Sequence, residues 1–423
     1  LMGLPGLAYL AGFDAVWLAT GLIVGTWLNW RFIAAPLRVR TEQLGDSLTL
    51  PDYFERRFDD RSRVLRTITA LLILVFFTFY ASSGFVATGR LFESLFGMHY
   101  HDAMFWGSFV MLAYTFFGGF LAVSWSDVLQ GTLMFVALVL VAVLGVGLAG
   151  GFGDLVATLE ARNPALLDPF TASGGQALGA IGILSLLAWG LGYPGQPHIL
   201  ARFMAIRSAD EMPTARRVAM GWVIVVLLAA VVVGLAGAAL ITPPLDGPGS
   251  EKVFILLATM HLHPVLAGLC LSGILAAIMS TASAQLLVAS SAFAQDFYKG
   301  LFRREPGRAE LLWVGRGAVL GIALLAYLLA LNPESKVLDL VAWAWAGFGA
   351  AFGPAIVLSL YWDRMTRNGA LAGMLVGGLT VILWKQGHGG IFELYEMVPG
   401  VVLSALAIWA SSLLGARSTG RVR

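Results

Sequence analysis

Charge is what this chain has least of. Only 12% of its 423 residues are Asp, Glu, Lys or Arg, about half the ~25% of an ordinary soluble domain. That scarcity excludes a disordered chain and a solvated coiled coil. The formal net charge is +2, too small an excess for a nucleic-acid surface. There is one cysteine, Cys270, inside an apolar run, which excludes a disulfide framework and leaves the redox compartment open. No His, Cys or carboxylate pair or triad has metal-enzyme or nucleophile spacing, and no Walker or dinucleotide loop stands in a credible context. Neither a cofactor nor enzyme chemistry is expected. What the chain does have is apolar length: 58% of residues are hydrophobic and mean hydropathy is +0.80. These values predict an all-α polytopic membrane protein, residues 1–423 forming one membrane domain.

Apolar runs predict helices near 15–35, 64–96, 102–119, 122–149, 177–203, 215–242, 263–296, 310–331, 336–362, 368–386 and 395–415. They are too long, and lack the period-two alternation, for strands. Before them, the apolar stretch 1–11 has no basic flank and is too short to cross a bilayer. It reads as the remnant of a membrane helix, which makes the chain a fragment lacking the first half of that helix.

Basic residues set orientation. The segments 31–66, 202–217, 299–316, 364–367 and 417–423 carry 22 of the 27 Lys and Arg. Arg90, Arg162, Lys252, Lys336 and Lys385 fall on the other side. Basic loops stay cytoplasmic, so the C-terminus is expected inside a cell (inner) membrane. The long inner loop 36–63 contains SLTLPDYFERRF, which reads as a short amphipathic helix or as a solvated charged loop. The outer segment 150–176 is expected to be partly helical.

Two spans carry unusual chemistry. In LLAWGLGYPGQPHILARF, Gly190, Gly192, Pro194, Gly195 and Pro197 should interrupt regular helix at membrane depth. Trp189, Tyr193 and Pro197 are spaced by four and predict one aromatic face beside freed backbone groups, suited to a small solute with charged ends. A kinked packing helix is the plainer reading. The span 263–296 carries Ser272, Ser280, Thr281, Ser283, Ser290 and Ser291. Ala277, Ser280 and Thr281 stand at i, i+3 and i+4. Such oxygens suit a hard monovalent cation, although close small-residue packing explains them more readily on chemistry alone. Asp127, at the start of its span, reads equally as part of an ion path or as a favourable first-turn charge. Tyr80 lies within the membrane on span 64–96.

The stretches LTLPDYFERRF, GGFLAVSWSD, WGLGYPGQPHILARFMA, ILAAIMSTASAQLLV and AWAWAGFGAAFGP, in this order, resemble the sodium:solute symporter family, and its proline-carrying members above all. The resemblance implies a five-plus-five inverted-repeat transporter fold. Residues 1–11 are then the remnant of the first core helix, 12–150 the rest of the first repeat, 177–363 the second repeat, and 368–416 two C-terminal peripheral helices. It implies substrate binding at Tyr80, Trp189, Tyr193 and Pro197, sodium ligands at Ala277, Ser280 and Thr281, and a sodium exit path past Asp127. Pro194 departs from the pattern, standing where the family has an aromatic residue. The function implied is secondary active import of proline with a co-transported sodium ion across the lipid bilayer. A symporter for another small solute and a transporter-like sensor module are the alternatives.

Overall fold

The computed structural model describes residues 1–117, 120–172, 175–302 and 306–419. Gly118 and Gly119 of the GGFLAVSWSD stretch, Arg303 and Arg304 of the basic inner segment, and Arg421 and Arg423 of the tail lie outside them. Among the described residues the chain is helical, with one isolated β-bridge between Thr171 and Ala177. The helices are α1 (Gly3–Ala11), α2 (Ala15–Leu28), α3 (Ala34–Gln43), α4 (Leu50–Arg57), α5 (Val64–Phe96), α6 (Tyr100–Phe117), α7 (Phe120–Leu148), α8 (Phe152–Arg162), α9 (Ala180–Leu187), α10 (Pro197–Ala205), α11 (Met212–Leu240), α12 (Val253–His261), α13 (Pro264–Ser291), α14 (Arg308–Leu329), α15 (Val337–Tyr361), α16 (Arg367–Trp384) and α17 (Met397–Thr419).

Each of the eleven expected spans coincides with a helix or, for 177–203, with an interrupted one. The expected span 15–35 runs further, because a π-turn at Asn29–Ile33 joins α2 to α3 without a break. Nine helices among the described residues are long and apolar enough to cross a membrane. Two expected spans fall outside that number. α6 opens on the polar Tyr100, His101 and Asp102, and 177–203 is broken in the middle. The helix ends follow local chemistry. Thr49 caps α4 by accepting the Asp52 amide at 3.2 Å, Pro264 opens α13 at a position where no N–H is needed, and Gly97 closes α5 in the left-handed conformation at φ 62°.

Burial separates centre from periphery. Of the most apolar stretch of each helix, 72% is buried in α15 and 61% in α5, against 28% in α7, α14 and α17. On α14 the outward side chains include Leu320, Leu324, Leu325 and Leu328, all exposed, as lipid contact requires. Lipid gives helices no hydrophobic reason to associate, so close approach through small residues carries the packing. Gly21 and Gly25 of α2 meet Gly190 backbone to backbone, and a Cβ on Gly25 would overlap the Gly190 chain. The amphipathic helix α4 packs under the bundle, with Tyr53 and Phe54 fully buried. The alternative of a solvated loop is therefore excluded.

Candidate functional site

The interruption expected in the span 177–203 is present. α9 gives way to a 3-10 turn over Ala188–Gly195, Gln196 is extended, and α10 restarts with Pro197 in its first turn. Pro194 and Pro197 offer no N–H to continue a helix. Side chains tie the break to its neighbours. Gln196, fully buried, donates from Nε2 to Gly192 O at 3.1 Å and to Trp345 O at 3.2 Å. The Trp345 indole of α15 donates to Trp189 O at 2.8 Å. The gap is thus braced from α15.

An aromatic cluster lines this brace. Trp189 stacks on Tyr395 with ring centres 5.6 Å apart and on Trp345 at 6.5 Å, and Tyr193 meets Trp345 edge-on at 5.1 Å. Tyr395 is fixed in turn, donating to Ala342 O at 2.6 Å and, through its amide, to Ser185 Oγ at 2.9 Å. Gln196, Trp345 and Tyr395 escaped the reading of the sequence. Gln196 had a signal, being a lone amide between helix breakers at membrane depth. Tyr395 had none, since only the tertiary fold brings it to Trp189.

Tyr80 sits on the other side of the gap. Its ring meets the His198 ring edge-on at 6.0 Å, and it faces a cavity of about 200 Å³ whose lining includes residues 1–3, Ser83, Ala277, Thr281 and Gln285. Tyr80 therefore joins the interrupted helix to the hydroxyl-bearing face of α13. The α13 triplet divides. Ala277 and Thr281 line the cavity, whereas Ser280 Oγ donates to Ala277 O at 3.1 Å. Gln285 is buried in the same wall, and its Nε2 has no protein partner.

The single face expected for Trp189, Tyr193 and Pro197 does not continue through the break. The 3-10 turn and extended Gln196 rotate Pro197 into a different cavity, toward Leu50, Ala201, Leu287 and Val288. Asp127, near the start of α7, is tied to Arg202 of α10 at 2.6 Å, and its Oδ1 is left without a partner. Among the described residues no group of three His, Cys, Asp or Glu side chains is placed to hold a metal ion. Tyr80, Ser83 and Thr281 are the hydroxyl-bearing residues on the lining of the Tyr80 cavity.

The profile of the sodium:solute symporter family matches residues 1–377. A sodium/proline symporter of Escherichia coli (strain K12) is 51% identical over 98% of this chain and 82% of its own length. The high-affinity proline transporter PutP of Bacillus subtilis (strain 168) is 48% identical over 98% of this chain and 86% of its own length. Among solved structures, a substrate-bound, outward-open Na+-coupled sialic acid symporter superimposes with a TM-score of 0.77, covering 98% of this chain and 86% of that one at 19% identity. MhsT in complex with L-phenylalanine gives a TM-score of 0.52 over 97% of both chains at 15% identity. The fold is therefore the helical transporter fold of these symporters, multi-pass in the membrane, and the chain belongs to the sodium:solute symporter family.

Proposed function

We propose that this protein imports proline together with Na+ by alternating access, with its C-terminus on the cytoplasmic side of the cell (inner) membrane. The observation that carries the mechanism is the interrupted helix Ala188–Gly195, braced by Trp345, with Tyr80 standing between its continuation at His198 and a cavity that reaches Thr281. The choice of solute is supported by relatives at about half identity that are named sodium/proline symporters or proline transporters. Trp189 and Tyr193 supply an apolar wall for a pyrrolidine ring, and Tyr80 a hydroxyl between that wall and α13. Pro197 acts below the break by ending it. Ala277 O and the Thr281 hydroxyl are hard oxygen donors for Na+, with Ser280 in support. Asp127, held by Arg202, gives the ion a carboxylate to pass on its way inward. Residues 1–11 with α2 to α7 form one repeat, α9 to α15 the other, and α16 and α17 lie outside both. One cation moving inward gains roughly 2.3 kcal/mol per 100 mV of membrane potential, so no covalent step is required.

The test is labelled proline uptake into vesicles with sodium or potassium outside, alongside binding to Trp189→Ala. Uptake should require sodium, and the variant should bind proline at least about tenfold more weakly at normal expression. Equal uptake in both media, or unchanged binding, would overturn the assignment.

A further inference from the structure

The transport reading leaves one conspicuous element unused. Helix α4 lies beneath the interrupted helix and separates two adjoining cavities. Above it is an apolar chamber of about 260 Å³, lined by Leu50 and Pro51 together with Pro197, Ala201 and Val288. Beside it is a polar cavity of about 490 Å³, lined by Asp52, Arg66 and Asp296. Leu48, Thr49 and Ser291 border both, so the neck between them lies where the start of α4 meets the end of α13.

Two sets of bonds hold α4 in place. Toward α15, Tyr53 shares a hydrogen bond with Ser359 Oγ at 2.9 Å, and Arg57 donates to Ser359 O at 3.0 Å. Toward α13, one guanidinium makes the ionic connection. Arg66, at the foot of α5, pairs with Asp52 and with Glu55 (2.9 Å) on α4, and with Asp296 (3.3 Å) on the continuation of α13. Thr49, the cap of α4, adds a bond to Asp296 at 3.4 Å. Asp296 is only 2% exposed, and its second oxygen has no partner. Three carboxylates therefore converge on Arg66, with Arg56 also on Asp52 at 3.0 Å and Lys299 on the wall of the same cavity. Without Arg66, the carboxylates of α4 and of Asp296 lose the cation they share, and with it the ionic tie between the two elements.

The geometry points to α4 as the floor of the inward exit and to Arg66 as the positioning residue that keeps its neck closed by bridging Asp52 and Glu55 to Asp296. Loss of the bridge lets α4 swing from α13 and opens the chamber under Pro197 to the cytoplasm. This inference rests on the transport reading for its meaning, but its test needs no solute. Cys270, the one natural cysteine, is buried, so a cysteine introduced by Ala201→Cys reports on the chamber. Its labelling by a membrane-impermeant maleimide would be followed in inside-out vesicles.

Arg66→Gln should speed labelling by about tenfold, and Arg66→Lys should leave it near the parent rate. Asp52→Asn with Glu55→Gln, which frees α4 while leaving Arg66 in place, should speed it as well and guards against misfolding of the first variant. In intact cells, Arg66→Gln should also lower the apparent affinity for external sodium, a change that simple destabilisation would not produce. Labelling unchanged in both Arg66→Gln and the double variant would overturn the latch, whatever proline uptake does. Faster labelling in a protein that shows no sodium-dependent proline binding would instead sink the transport reading and leave the latch standing.

Discussion

At the scale of the residue, the two hydroxyls that sequence spacing puts together are separated by their hydrogen bonding. Thr281 faces the cavity, whereas Ser280 spends its proton on the Ala277 carbonyl. Thr281→Ala should therefore raise the sodium concentration for half-maximal uptake by about tenfold or more, and Ser280→Ala by clearly less. Equal shifts in a sodium titration would contradict this division. The spacing i, i+3, i+4 was legible, but which hydroxyl is free depends on a rotamer, and no spacing encodes that. A second residue sets an acid limit. Burial works against the charge of Asp60, but hydrogen bonds from Ser62, the Leu65 amide and Arg367 outweigh it and hold the carboxyl below its usual range. A lowered value means stabilisation that is present above the ordinary carboxylate pKa, about 3.9, and is lost as pH falls through the folded value. Thermal unfolding in detergent should show Asp60→Asn less stable than the parent at pH 7, with the gap closing below about pH 4. A gap that persists there would assign the loss to packing instead.

At the scale of the element, the existence and place of most helices could be read from apolar length, and the gap in the span 177–203 from its clustered Gly and Pro. The form of the gap could not. A regular spacing of four predicts one face for Trp189, Tyr193 and Pro197, but a 3-10 turn has three residues per turn, and extended Gln196 resets the register. The amphipathic pattern of α4 was equally visible, but its buried seat depended on Ser359 and Asp296, some 240 to 300 positions away. The crossing of α2 over the gap turns on glycine. Gly25→Ala would drive a methyl into the Gly190 backbone, where no side chain can move aside. Overpacking of this kind costs about 1–3 kcal/mol, so the variant should unfold at a lower temperature in detergent. Ala at Gly131, which has nothing within 4 Å, should be neutral and serves as the control.

At the scale of the whole molecule, the alternation of basic segments carries the expectation of a cytoplasmic C-terminus. A reporter fused after residue 419 should be active only if it works in the cytoplasm; activity of a periplasm-dependent reporter there would reverse the orientation. What charge alternation could not convey is which helices are central, because apolar residues face lipid and core alike, and only packing separates α15 from α14. One contact then changes how the periphery is understood. Under the proposed function Trp189 walls the solute site, and Tyr395, in the link between α16 and α17, stacks on it. On that proposal the helices joined by this link are more than passive ballast. Selectivity would then drift through changes in α16 and α17 that never touch the solute, and grafting the central helices onto a foreign tail should carry over the proposed ion chemistry but not the taste for a particular substrate.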